Sequence, residues 1–453
     1  MISISKKRSL LGKIVSGYDD IEPAIITGLM LGSNIYLSGR HGIGKTILGQ
    51  VLGKAIDESG RGFRYYAADK AGLIDIGGLP NLELSQKTGR MEFILTDQSI
   101  FGAKVVLIDE LPRADKERQN YWLEVLESRT FKGLPCKYNM CIATGNDSTY
   151  KGNFDMDLAL KSRFLFWLPA PSFEQIDSNE VIEMINLNLG QRASIDDVAK
   201  RLNEALTEIR ANFEKDMANN ALVEQVATWI GTYTQFVKSR INGNAELSQN
   251  GEAYIPPREF AVHMVNAIFG LKAYFDYMGM PEALRLAGQY TVRYVIETRH
   301  AAAGVEFTNI CAMAWKQLSG MLIGAVDTPE GKLKYKFASA ISAPQKIDFW
   351  RSHLVDATTV LQSADLTNMA GDTLQQVRQE SIGLIGPFWH IMKANTATGH
   401  IASEVEGLMI TEVARKLLDG KDNPSGNYGR VYEKFKDSHV LFPEHVSEIL
   451  DAK

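Results

Sequence analysis

Residues 39–46 read Gly39-Arg40-His41-Gly42-Ile43-Gly44-Lys45-Thr46, a complete G-x-x-x-x-G-K-T. Glycines at these positions let backbone N–H groups turn inward around a phosphate, the lysine reaches the β and γ phosphates, and the threonine hydroxyl can ligate Mg²⁺. The loop follows the apolar run IYL at 35–37. It precedes apolar positions Ile47, Leu48, Val51, Leu52, Ala55 and Ile56, which recur at helical spacing until Gly60. Strand, glycine loop and helix N-terminus in that order aim the helix dipole at a bound anion. The candidate nucleotide contacts are therefore Gly39, His41, Gly42, Ile43, Gly44, Lys45, Thr46 and Ile47.

Outward from this loop, short apolar runs alternate with longer periodic stretches: FRYYA at 63–67, VVLI at 105–108, MCIAT at 140–144 and FLFWL at 164–168. With the first run they predict an α/β fold, a five-stranded parallel sheet flanked by helices. Two segments outside that alternation read as hairpins, 82–95 turning at 87–90 and 131–138 turning near Gly133 and Pro135. After Pro169, Ala170 and Pro171 helical periodicity takes over. The expected domains are an α/β unit at 1–172, a helical unit at 173–303 and a mostly helical extension at 304–453.

Four further candidates accompany the sheet, Asp109, Glu110 and Asn146 at its carboxyl edge and Arg163 just before its last run. The run VVLI ends in Asp109 and Glu110, where one acid can hold Mg²⁺ through water and the other can orient or deprotonate an attacking water. Such acids can also simply face solvent. Asn146, just past MCIAT, offers a neutral amide to a γ-phosphate or the lytic water, or else serves as a turn residue. Arg163 precedes the last run; its fixed fork of donors suits a developing phosphoryl charge, and its alternative is a surface salt bridge.

The order and spacing of these motifs resemble AAA+ ATPases, and within them the MoxR group. The resemblance is carried by VVLIDELPRADKERQNYWLEVLESRTF, ATGND, KSRF, and Ile255-Pro256-Pro257-Arg258-Glu259-Phe260 with the helix that follows. It covers about residues 1–303; the remaining third resembles no family we can name. The resemblance implies Lys45 and Thr46 in Walker A, Asp109 and Glu110 in Walker B, Asn146 as sensor 1, Arg163 as arginine finger and Arg258 as the lid arginine, sensor 2. It implies a helix-2 insert within 71–100 and a pre-sensor-1 hairpin at 131–138. Leu-Pro-Arg-Ala at 111–114 stands where the family more often has Ile-Asn-Arg-Ala.

By the same resemblance the chain is an ATP hydrolase with ATP and Mg²⁺ bound between subunits of a ring, expected to be a homo-hexamer. It would remodel or activate a client protein, often one with a von Willebrand A domain. Two other functions remain open: a nucleic-acid motor or loader on the same core, or a nucleotide-gated scaffold with little turnover.

Composition sets the outer limits. A chain of 453 residues with 45% apolar and 23% charged residues is long enough for about two to four folded domains. The net charge of −5 makes nucleic acid a disfavoured partner. Cys136, Cys141 and Cys311 show no metal-ligand spacing and are odd in number, which suits a reducing cytoplasm. Lysine and arginine break the N-terminal apolar residues before a signal peptide forms, and no membrane span is expected. His263 and His300 lack ligand spacing and are expected in ordinary core or surface roles. The segment 332–336 reads as a nucleic-acid strip or a solvated amphipathic strand, and 387–390 as core packing of a helix start or a partner-binding edge.

Overall fold

The apolar runs become the strands of one parallel sheet. The computed structural model describes residues 9–12, 14–15, 17–39, 44–145, 156, 158–170, 182, 185, 193–249 and 251–322. The strands are β1 Ile35–Ser38, β2 Phe63–Ala67, β5 Val105–Asp109, β8 Met140–Gly145 and β9 Phe166–Pro169, in the order β2-β5-β8-β1-β9. Parallel strands need crossover helices, and these cover both faces of the central strands; β8 is buried throughout. Ile108 pairs with Ala143 and Leu37 with Thr144, so β1, β5 and β8 end together at one edge.

Local chemistry explains the helices. Helix α1 (Glu22–Leu31) starts with Pro23 in its first turn and ends on Gly32 at φ 65°, whose N–H donates back to Gly28 and Leu29 carbonyls. Helix α2 (Lys45–Ile56) packs Leu48, Val51, Leu52 and Ala55 into the core, and a Cβ added at Gly49 would collide with the Phe63 ring. Helix α5 (Lys116–Ser128) is capped by Asp115, which accepts from Arg118 N, and it buries Trp122, Val125 and Leu126.

Two excursions leave the sheet. Between 71 and 100 lie α3 (Leu73–Gly77), α4 (Leu82–Thr88) and an antiparallel pair, β3 (Leu79–Pro80) with β4 (Phe93–Ile94). The expected 82–95 hairpin is thus corrected: its strands lie further apart and α4 fills the middle. Asn81 caps α4 by accepting from Leu84 N, Lys87 pairs with Glu83, and Gly89 ends the helix at φ 67°. The second excursion is a tight hairpin, β6 (Thr130–Phe131) and β7 (Leu134–Pro135), turning through Lys132 and Gly133 at positive φ.

Further helices follow α6 (Leu158–Lys161): α7 Ile195–Met217, α8 Asn220–Asn242, α9 Ala245–Gln249, α10 Met264–Tyr277, α11 Ala283–Thr291 and α12 Val305–Leu318. Ser194 caps α7 by accepting from Asp196 N and Asp197 N. Helix α10 packs on α1, α7 and α11, α7 on α2, and α12 on α8, where Trp229 donates to Leu318 O at 3.0 Å. A buried carboxylate joins three parts of the chain. Glu22 on α1 accepts from Ser9 Oγ at 2.6 Å, Leu10 N, Leu11 N and Tyr274 Oη of α10 at 2.7 Å.

The chain divides at Gly324 into two compact units, and all described residues fall in the first. The segments 332–336 and 387–390 therefore lie outside the described residues. Among the described residues no helix is long and apolar enough to cross a membrane.

Candidate nucleotide site

Three strand ends and one helix start converge at the sheet edge. Gly39 N donates to Gly145 O at 3.0 Å, tying the loop to β8, and a Cβ on Gly39 would sit 2.5 Å from Ala170 Cβ. Gly44 turns into α2 at φ 81°, a conformation glycine adopts without strain. Arg40, His41, Gly42 and Ile43 lie outside the described residues, as does Asn146. Lys45 is buried at the first turn of α2, while Thr46 is exposed and Ile47 half-buried beside it. Thr46 is thus open to solvent in the first turn of α2, whose leading N–H groups have no intrahelical partner.

Lys45 Nζ lies 3.3 Å from Asp109 Oδ1 and 3.3 Å from Thr144 Oγ1. Thr144 donates to Asp109 Oδ1 and accepts from Glu110 N at 3.2 Å, so one hydroxyl joins lysine, acid and backbone. Tyr65 on β2 donates to Asp109 Oδ2 at 3.1 Å. Burial opposes ionisation of Asp109, but the Thr144 hydroxyl and the Lys45 ammonium outweigh it and hold the carboxyl below its ordinary range. Burial first, then the charge of Asp109 and the hydrogen bond to it, push the Tyr65 phenol up to about 12. Asp109 is thus an ionised carboxylate beside the start of α2.

Glu110 sits at φ 58°, left-handed backbone that costs a non-glycine residue energy and is common at functional sites. Its carboxylate accepts from Arg113 Nη1 at 2.6 Å. The strained turn lifts Glu110 off the end of β5 while Asp109 stays in register opposite Ala67.

The two candidate arginines lie elsewhere. Arg163 Nη2 pairs with Glu127 Oε1 of the same chain at 2.5 Å, and its side chain is 14% exposed. Arg258 is exposed immediately before a π-turn, Glu259–His263, that leads into α10. Both bear on His263, a buried imidazole pulled down to about 2 by burial first and then by Arg299, Arg258 and Arg163. Its neutral ring lies against the Arg299 guanidinium and within electrostatic reach of Arg258 and Arg163.

Sequence reasoning passed over Thr144, Tyr65 and the buried Arg299. Thr144 carried one signal, a hydroxyl ending an otherwise apolar central strand beside the strand that ends in Asp109. Arg299 carried none, because its partners are 36 to 135 positions away. The Phe164-Leu165 part of the expected last strand is also corrected. β9 begins at Phe166 because the Phe164 and Leu165 carbonyls accept from Arg299 instead of a neighbouring strand.

A glycine loop at a helix start, with its lysine aimed at an ionised aspartate on a parallel central strand, defines a P-loop ATP-binding domain built for hydrolysis. Residues 34–164 match the family model described as AAA domain, dynein-related subfamily, and with that match the chain is an ATP hydrolase. Among solved structures, a protein of Cytophaga hutchinsonii described as a candidate ATPase is similar at a TM-score of 0.46 and 16% identity, covering 68% of this chain and 91% of that one. No curated protein matches the chain.

Proposed function

We propose that the chain is a MoxR-like AAA+ motor that hydrolyses Mg-ATP at the seams of a hexameric ring and remodels or activates a client protein. The observation that carries the reading is the buried Lys45–Thr144–Asp109 network at the sheet edge, beside the start of α2. In this reading residues 1–172 form the motor, 173–303 the lid and 304–453 an extension. Thr46 and Asp109 supply the hydroxyl and carboxylate oxygens that Mg²⁺ prefers. When bound, the ion would neutralise charge on the β and γ oxygens.

Lys45 turns from Asp109 to the β and γ phosphates, which also receive the N–H groups of Gly44 and its neighbours. Glu110 takes a proton from water as its oxygen attacks the γ-phosphorus, and the β–γ bridging oxygen leaves with the bond pair. Asn146 orients the same water or the γ-phosphate. Arg163 exchanges Glu127 for the phosphate of the neighbouring subunit. Loss of the γ-phosphate then releases Arg163 and Arg258 and changes the angle between motor and lid.

The client-directed part rests on the excursion at 71–100, where Ile74, Leu79, Leu82, Leu84, Met91, Ile94 and Leu95 are exposed. Concentrated in one short excursion, such exposed apolar side chains suit a surface that meets protein. The client class we favour carries a von Willebrand A domain, and the buried, unpaired thiols of all three cysteines suit a cytoplasmic home.

Two measurements test the proposal. Glu110→Gln should abolish steady-state hydrolysis while ATP still binds; equal rates for variant and wild type would remove Glu110 from the chemistry. Mixing Arg163→Ala subunits with Lys45→Ala subunits should restore part of the hydrolysis, because an intact cradle then meets an intact arginine wherever the two kinds of subunit are neighbours in the right order. Rings that stay dead at every mixing ratio would refute the shared site.

A further inference from the structure

A buried cluster outside the cradle links the two arginines that the proposed mechanism uses. Arg299, with a 1% exposed side chain, places Nη1 2.7 Å from Glu259 Oε1 and donates to His263 Nδ1 at 3.3 Å. Its Nη2 donates to the carbonyls of Phe164 and, at 3.1 Å, Leu165. Glu259, equally buried, accepts on its other oxygen from His300 Nε2 at 2.9 Å. Next to Arg299, Thr298 donates to Trp167 O at 2.6 Å. Phe164 directly follows Arg163, and Glu259 directly follows Arg258.

Burying this ion pair costs desolvation that an apolar pair of the same volume would avoid, so it contributes conformational uniqueness more than stability. Geometry indicates what is made unique. Arg299 is a flat fork whose donors reach four acceptors on two elements, which the point charge of a lysine cannot reproduce. Both helical segments enter the cluster through π-turns, Glu259–His263 and Val292–Glu297. Such turns widen the helix locally and recur at functional sites. The link at 164–165 lies before β9; Leu165 N bonds Asn34 O, and Arg299 holds both carbonyls.

We propose that Arg299 and Glu259 are positioning residues that lock the backbone beside Arg163 to the backbone beside Arg258, so that both guanidiniums reach a neighbouring subunit's nucleotide as one unit. The proposal rests on the reading of Arg163 as acting across a seam. It predicts that a defect in Arg299 harms a subunit as arginine donor and spares it as nucleotide holder.

The test uses full-length Arg299→Lys protein, which keeps the charge opposite Glu259 and loses the fork. In homogeneous rings kcat should fall about a hundred-fold, the scale of a small misplacement of a catalytic group, with KM for ATP within about two-fold of wild type. Mixing with Lys45→Ala subunits, whose arginines are intact, should raise hydrolysis per Arg299→Lys subunit by about ten-fold or more. Mixing with Arg163→Ala subunits should raise nothing. Should Arg299→Lys fail to assemble, Glu259→Gln carries the same measurements with the same expected pattern.

A fall in kcat that Lys45→Ala subunits cannot relieve, while they do relieve Arg163→Ala, would overturn the positioning role and leave the shared site standing. If Lys45→Ala relieves neither variant, the shared site falls and the positioning role falls with it. Wild-type kcat in the assembled variant, or a KM that rises as far as kcat drops, would also overturn the proposal.

Discussion

Replacing Thr144 by valine removes one oxygen and keeps the side chain's shape. That oxygen is fully buried and takes part in three hydrogen bonds: from Lys45 Nζ, from Glu110 N and to Asp109 Oδ1. Two involve charged groups and are worth about 1.5–3 kcal/mol each, and the bond from the neutral N–H about 1 kcal/mol. The direct Lys45–Asp109 pair and the Tyr65 bond survive the change and recover part of the loss. The net destabilisation should be about 2–4 kcal/mol at neutral pH. It is read as a lower urea midpoint at unchanged slope, together with weaker ATP binding.

The sign of its pH dependence follows from Asp109, whose carboxyl is held below the ordinary value of 3.8 in the fold. That depression adds stability above the unfolded pKa and loses it as pH falls through the folded one. Without the Thr144 donor less remains to lose, so the gap between wild type and variant should narrow below about pH 4. A loss smaller than about 0.5 kcal/mol at neutral pH would refute the argument that this hydroxyl organises the site.

His263 is neutral in the fold because burial and three guanidiniums pull it from 6.5 to about 2. The unfolded chain therefore binds the extra proton first, and stability should drop as pH falls below 6.5 by up to about 1.4 kcal/mol per unit. Melting curves between pH 7 and 5 for wild type and His263→Gln should show that component only in wild type. Gly145→Ala would press a Cβ against the Tyr36 hydroxyl and within 2.7 Å of Pro112 Cδ. It should cost about 1–3 kcal/mol in urea unfolding and displace the strand end that carries Thr144. Burial pushes the Cys136 and Cys311 thiols up to about 12 and Cys141 higher still. Ellman's reagent at pH 8 should leave all three unmodified until denaturant is added; rapid labelling of native protein would contradict their burial.

The cradle, the acidic pair and the sheet were legible because each is a local pattern. A glycine loop needs contiguous residues whose backbone can turn, and buried parallel strands need runs of apolar side chains such as VVLI. The hairpin expected at 82–95 was misplaced because Asn81, the Glu83–Lys87 pair and Gly89 together favour a short helix over the turn read at 87–90. Loop signals mark where the chain changes direction, but not whether capping can hold a helix between two strands.

Sequence alone thus determined the glycine-loop motif, the order of strands along the chain and the acidic pair at the end of β5, since neighbouring residues suffice for each. Only the tertiary structure decided that Thr144 joins Lys45 to Asp109, that Arg163 lies against Glu127, and that Arg299 clasps Phe164, Leu165 and Glu259. The physical reason is that a buried polar group must be satisfied by whatever the fold brings within about 3 Å, and distance along the chain does not constrain which partner that is.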